Sequence, residues 1–125
     1  MTNPKLEQGL EIRKAVLGAA HVERSLAAAD DFNKPIQELV TAYCWGEVWG
    51  NEDLPRATRS LLNIAMLTAL NRSHELKVHV QGALRNGVSK TEIQAVLMQT
   101  AIYCGVPAAL ESFRVASEAI KTYTE

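Results

Sequence analysis

Apolar residues recur along most of this chain at three- and four-residue intervals, and no stretch keeps the strict alternation of a half-buried strand. That pattern predicts an all-helical fold. Asn3 and Pro4 open the first predicted helix, which carries Leu6, Leu10, Val16 and Leu17 and stops at Gly18, a residue that tolerates the left-handed cap conformation. His21 then falls in a connector. A second helix starts near Asn33 with Pro35 in its first turn. It is expected to bury Ile36, Leu39, Val40, Tyr43 and Val48 and to be interrupted at Gly50 and Asn51, leaving Glu47 in its last turn. Pro55 marks the first turn of a third helix, in which Leu61, Leu62, Ile64, Ala65, Met66, Leu67, Ala69 and Leu70 occupy most of the circumference. Such a helix is central or lies at a subunit contact. Ser73 is placed to cap a fourth helix running to Asn86 and Gly87, and Ser89 with Glu92 forms an S-x-x-E capping box for a fifth. The fifth ends at Gly105, and Pro107 opens a sixth containing Leu110, Phe113, Val115, Ala116 and Ile120.

With 125 residues, no internal repeat and no linker-like tract, this reads as a single domain over residues 1–125, a helical bundle of about six helices. A chain of this size gains from self-association. Apolar residues at 47% and charged residues at 22% argue against disorder. Thirteen basic side chains against 14 acidic ones leave no field that would gather nucleic acid or anionic lipid. The N-terminus lacks an apolar signal core, and no run approaches the roughly 18 apolar residues of a membrane span, so the expected location is the cytoplasm. Cys44 and Cys104 form no C-x-x-C pair, which leaves reduced thiols as the expectation and neither a zinc knuckle nor a thioredoxin-like pair.

Candidate chemistry concentrates between Tyr43 and Ala109. His79 stands mid-helix with Glu75 at i−4, while Gly82 and Ala83 at i+3 and i+4 leave room beside its ring. It is a candidate acid–base group, or a core or interface histidine. Arg56 places a cation in the first turn of a helix, against the macrodipole, and Arg59 follows one turn later. Together with free N–H groups at the helix start they suit a carboxylate, unless they pair with Glu47, Glu52 or Asp53. Glu47 lies between Trp45 and Trp49, where a partly apolar setting would raise its pKa for proton transfer; its other reading is an arginine anchor. Tyr103 and Cys104 precede a glycine and a proline at a junction that either faces a cavity or simply turns between helices. His21 ranks above His74 as a pocket residue.

Taken together, W-G-E-x-W, L-P-R-x-T-R-S-L, E-L-K-x-H, N-G-V and Q-x-A-I-Y-C-G-V-P-A-A resemble the carboxymuconolactone decarboxylase family of the alkylhydroperoxidase D-like superfamily. Arg13-Lys14-Ala15-Val16-Leu17-Gly18 and His21-Val22-Glu23-Arg24-Ser25 extend the likeness over nearly the whole chain. The superfamily's redox members carry two cysteines and a glutamate before the helical histidine. Here His79 fits the histidine, but Arg72 and Glu75 stand at the cysteine positions and Ser60 at the glutamate position, so thiol redox chemistry does not carry over.

The resemblance implies decarboxylation of 4-carboxymuconolactone to 3-oxoadipate enol-lactone in protocatechuate catabolism. Because the lactone carbonyl accepts the electrons, the reaction requires no metal, pyridoxal phosphate or thiamine, and the expected cofactor is none. It further implies Arg56 or Arg59 on a substrate carboxylate, His79 as carbon protonator or enolate stabiliser and Glu47 as its orienting or reprotonating partner. His21, Trp45 and Tyr103 complete the expected substrate pocket. A homo-oligomer, trimer or hexamer, is expected. The competing readings are a non-catalytic small-acid-binding or assembly module on the same scaffold, a decarboxylase of a related lactone acid, and residual thiol redox activity, which would need Cys44 and Cys104 adjacent.

Overall fold

The computed structural model describes residues 3–124, and its helices divide into two compact units, Met1–Pro55 and Arg56–Glu125. All regular structure among the described residues is helical. None of these helices is long and apolar enough to cross a membrane.

In the N-terminal unit, α1 (Pro4–Leu17) starts where the Asn3 side chain accepts the Lys5 backbone N–H at 2.9 Å, with Pro4 in the first turn. It stops at Gly18, whose φ of 92° no other residue adopts cheaply. The chain turns that corner directly into α2 (Ala19–Ala27), which buries Val22. His21 is therefore helical, contrary to the connector expected for it: the glycine corner leaves no room for a loop, and the described residues form seven α-helices and a π-helical segment where about six helices were expected. Asp30 and Asn33 then exchange side-chain-to-backbone bonds, with Asp30 accepting from the Phe32 and Asn33 N–H groups and Asn33 accepting from the Asp30 N–H. This turn launches α3 (Lys34–Leu39).

The helix does not continue as expected. From Val40 to Val48 it winds as a π-helix, closing with a 2.9 Å bond from the Trp49 N–H to the Cys44 carbonyl. The wider winding changes which residues point inward. Thr41, Trp45, Gly46 and Trp49 are buried, whereas Ile36, Leu39, Tyr43 and Val48, expected inside on an α-helical period, are exposed. Gly9 of α1 and Gly46 of the π-helix let the two backbones touch. A Cβ at Gly9 would collide with the Thr41 carbonyl, and one at Gly46 with the Lys5 carbonyl.

In the C-terminal unit, α4 (Arg56–Ala69) begins immediately after Pro55 and packs against α5 (Ser73–Arg85) and α6 (Lys90–Tyr103). The last helix, α7 (Val106–Thr122), packs against α5 and α6 and closes the bundle. Its core is Ile64, Leu76, Val80, Ala83, Val88, Ile93, Leu97, Val115, Ala116 and Ala119. Only Ser60, Ile64 and Thr68 are fully buried on α4, while Leu62, Met66 and Leu70 are exposed.

Two helix ends share one device. After α4, Asn71 takes φ 58° and the Arg72 N–H reaches back to the Leu67 carbonyl; after α5, Gly87 takes φ 87° and the Val88 N–H reaches the Ala83 carbonyl. Ser73 does not cap α5. It is the first helical residue, behind Arg72, and its hydroxyl donates to Glu111 of α7. The capping box on α6 forms as expected, Ser89 accepting from the Glu92 N–H at 3.0 Å and Glu92 from the Ser89 N–H at 2.9 Å.

Candidate functional site

The two units hold the expected site residues in different ways. In the N-terminal unit Trp45 is a core residue, 2% exposed, with its ring stacked on Trp49 at 4.7 Å between centroids. Glu47, two residues on, is exposed and so does not sit in the apolar setting expected for it. His21 is half-buried on α2, its carbonyl accepting from the Ser25 hydroxyl.

Beneath the π-helix lies a group that the sequence pattern did not single out for a role. Arg13 of α1 is only 6% exposed, and its guanidinium donates to the Thr41 hydroxyl at 2.9 Å, while Thr41 donates in turn to the Gln37 carbonyl. The Arg13 Nε is buried with no hydrogen-bond partner. Burial pushes the Arg13 pKa down, an effect that the nearby Cys44 partly opposes. Burial likewise pushes the Cys44 thiol up, against the pull of the Arg13 charge. Cys44 and Cys104 are both free thiols.

In the C-terminal unit the expected residues follow one seam. Arg56 opens α4 and is exposed; Arg59, one turn on, is half-buried. Ser60, next to Arg59, and Asn63, one turn beyond it, both bond residues at or after α5. The Asn86 amide donates to the Ser60 hydroxyl at 2.9 Å, and the Asn63 amide nitrogen stands 3.4 Å from Nδ1 of His79. Residues at i and i+4 are neighbours on a helix surface, so Arg59 stands one turn before Asn63 on the same face of α4. His79 itself is half-buried, flanked in sequence by the buried Leu76, Val80, Gly82 and Ala83. The small residues at i+3 and i+4 belong to the packed face.

Tyr103 is 82% exposed at the end of α6 and, with Cys104, lines a mainly apolar cleft of about 290 Å³ shared with Thr58, Leu61, Leu62 and Ala65 of α4. Thr58 borders Arg59, so the cleft and the α4–α5 seam lie on one helix. A second cleft, about 260 Å³ between α6 and α7, contains none of the expected residues.

This arrangement offers two guanidinium groups at a helix start and a half-buried imidazole held by an amide. Groups of these kinds are able to position an anion and to move a proton. Asn63 was missed in the sequence. Its signal was an amide four residues after Arg59 in an otherwise apolar helix.

Comparison with known proteins agrees with this chemistry. Residues 34–118 match the family described as "Carboxymuconolactone decarboxylase family". A 4-carboxymuconolactone decarboxylase from Acinetobacter baylyi is 43% identical over 117 residues, covering 94% of this chain and 87% of that protein. A nitrosuccinic acid decarboxylase from Metarhizium robertsii is 39% identical over 114 residues, covering 91% of this chain and 80% of the relative. A 4-carboxymuconolactone decarboxylase sequence from Pseudomonas putida is 42% identical over 43 residues, 34% of this chain and 90% of that sequence.

Proposed function

Since the chain belongs to the carboxymuconolactone decarboxylase family, we propose that it decarboxylates 4-carboxymuconolactone to 3-oxoadipate enol-lactone. The observation that carries this reading is the 43% identity with a 4-carboxymuconolactone decarboxylase over 94% of the chain. In the reaction the carbon–carboxylate bond breaks and carbon dioxide leaves. Its electron pair passes through the conjugated double bond into the lactone carbonyl as a dienolate, and a proton added to ring carbon completes the enol-lactone. The electron sink belongs to the substrate, so the protein's task is to place charge and deliver one proton.

Arg56 and Arg59 supply the carboxylate-binding cations, and His79 donates to the developing enolate oxygen or protonates carbon. An imidazole can accept, hold and donate a proton near neutral pH, and a positioned general acid contributes roughly 10²- to 10⁴-fold. Tyr103 edges the neighbouring cleft and serves substrate binding. Glu47 as a proton partner, and His21 and Trp45 as pocket residues, rest on the family resemblance. Each is tested by its own substitution, with Glu47→Gln the most direct. We read the whole chain as one functional domain, acting in the cytoplasm as a homo-oligomer, a trimer or hexamer.

The deciding experiment follows carbon dioxide release and enol-lactone formation from freshly made 4-carboxymuconolactone. Wild type should turn over, and His79→Ala should lose about 10²-fold or more in kcat with its helical circular dichroism intact. Near-normal turnover by that variant would remove His79 from the mechanism.

The Metarhizium relative supports a second substrate class. Nitrosuccinic acid is also a dicarboxylic acid with an electron sink, its nitro group, placed to accept the electrons of a departing carboxylate. The same assay run on nitrosuccinate decides between a site selective for the lactone and one that accepts any dicarboxylate bearing such a sink.

A further inference from the structure

We infer that Asn63 is a positioning residue that fixes the tautomer of His79, its side-chain amide donating to Nδ1 so that the neutral ring carries its proton on Nε2. The inference rests on the reading of His79 as a group of the reaction site and deepens it by naming the ring atom that donates to the developing enolate oxygen.

The geometry runs as follows. Asn63 on α4 and His79 on α5 meet across the helix pair, with the amide nitrogen 3.4 Å from Nδ1. The helices run antiparallel there, and their register is held one turn away by the 2.9 Å bond from the Asn86 amide to the Ser60 hydroxyl, with Ser60 itself fully buried. A second bond from Asn86, to the Arg56 carbonyl at 3.5 Å, ties the same end of α5 to the start of α4. The pairing of α4 with α5 is thus supported by bonds from the Asn86 side chain that do not depend on Asn63.

A neutral imidazole has one donor nitrogen and one acceptor nitrogen, and the partner of one decides the state of the other. An amide N–H aimed at Nδ1 requires a lone pair there, which puts the ring proton on Nε2. When His79 donates to the developing enolate oxygen, the proton it offers is then the Nε2 proton; to protonate carbon the ring must first take up a second proton, which costs the bond that Asn63 makes to Nδ1. Asn63 gives that bias without adding charge. A carboxylate at the same place would accept from Nδ1 and draw the proton to the wrong nitrogen.

The test is the nitrogen NMR spectrum of uniformly ¹⁵N-labelled protein above the histidine pKa, with the His79 signals identified by their loss in His79→Ala. Wild type should show a protonated Nε2 and a pyridine-like Nδ1. Asn63→Asp should move the proton to Nδ1, and Asn63→Leu should give both tautomers. In the decarboxylation assay Asn63→Leu should lower kcat by about tenfold, the scale of one net hydrogen bond, with KM changed less than twofold.

A wild-type ring protonated on Nδ1 would overturn the proposal, and this observation needs no variant to fold. An unchanged tautomer in folded Asn63→Leu would do the same. The Nε2 tautomer in wild type together with full activity of His79→Ala would leave Asn63's hold on the ring intact and refute only the catalytic reading of His79.

Discussion

Cys44 and Arg13 make opposing demands on the interior of the N-terminal unit. Arg13 is buried and Cys44 half-buried, and burial penalises the charged form of each: the thiol is pushed above its ordinary value and the guanidinium below its own. Arg13 stays protonated regardless, because a guanidinium does not deprotonate in the working range. For Cys44 the sign matters. Its folded-state pKa lies above the unfolded one, so the folded protein favours the protonated thiol. That contribution is complete below the unfolded pKa, near 8.5, and is lost as pH rises through the folded value. Stability should therefore fall on the alkaline side of about pH 8.5, and Cys44→Ala should flatten that limb in urea titrations at stepped pH. A wild-type midpoint that is flat from pH 8 to 10 would contradict the account. The same burial makes a second outcome measurable. Cys104 is exposed, so a disulfide reagent should consume one thiol quickly and the second slowly, the slow phase vanishing in Cys44→Ala.

At the scale of the element, the helix ends were legible and the winding was not. Caps are local: Asn3 before Pro4, Gly18, Gly87, Gly105 and the Ser89–Glu92 box are each set by one to four residues, and each stands where its chemistry puts it. The burial of the π-helix depends instead on an i→i+5 ladder that apolar spacing does not announce. Reading residues 36–48 on a period of about 3.6 pointed Ile36, Leu39 and Tyr43 inward, whereas Thr41, Trp45 and Trp49 fill that place. Likewise His79 was visible because a mid-helix histidine is unusual, but Asn63 gains its meaning only when α4 and α5 are laid side by side.

The glycines give the element its sharpest test. Gly46→Ala puts a methyl group against the Lys5 carbonyl, and α1 cannot retreat without disturbing the Arg13–Thr41 contact, so the expected loss is at least about 1–3 kcal/mol of unfolding free energy. Ser89→Ala, which removes half of a solvent-facing capping box, should cost only about 1 kcal/mol. Chemical denaturation of the two variants side by side would rank them. Equal losses would mean that α1 and the π-helix can part at little cost.

For the whole molecule, the decisive feature is apolar surface left in the open. On α4 and the turn after it, Leu62, Met66 and Leu70 follow one another at i, i+4 and i+8; on α6, Met98 and Ile102 stand at i and i+4, and Tyr103, Val106 and Leu110 continue onto α7. A solitary exposed leucine needs no explanation, but rows of this kind mark surfaces that another molecule covers. On the third predicted helix, expected to be central or at a subunit contact, Ile64 turns to the core while the Leu62 row faces out. We expect a second copy of the chain to cover that row, because an enzyme of this length has few other means of burying so much apolar side chain. Light scattering should then give a mass that is a multiple of the 13.7 kDa chain. Ile102, 79% exposed, makes the cleanest probe. Within one chain an Ile102→Glu substitution touches almost nothing, so it should lower the assembly state while leaving the helical circular dichroism unchanged. A wild type that scatters as a monomer at micromolar concentration would leave these rows without the proposed partner, and the oligomer would have to be abandoned.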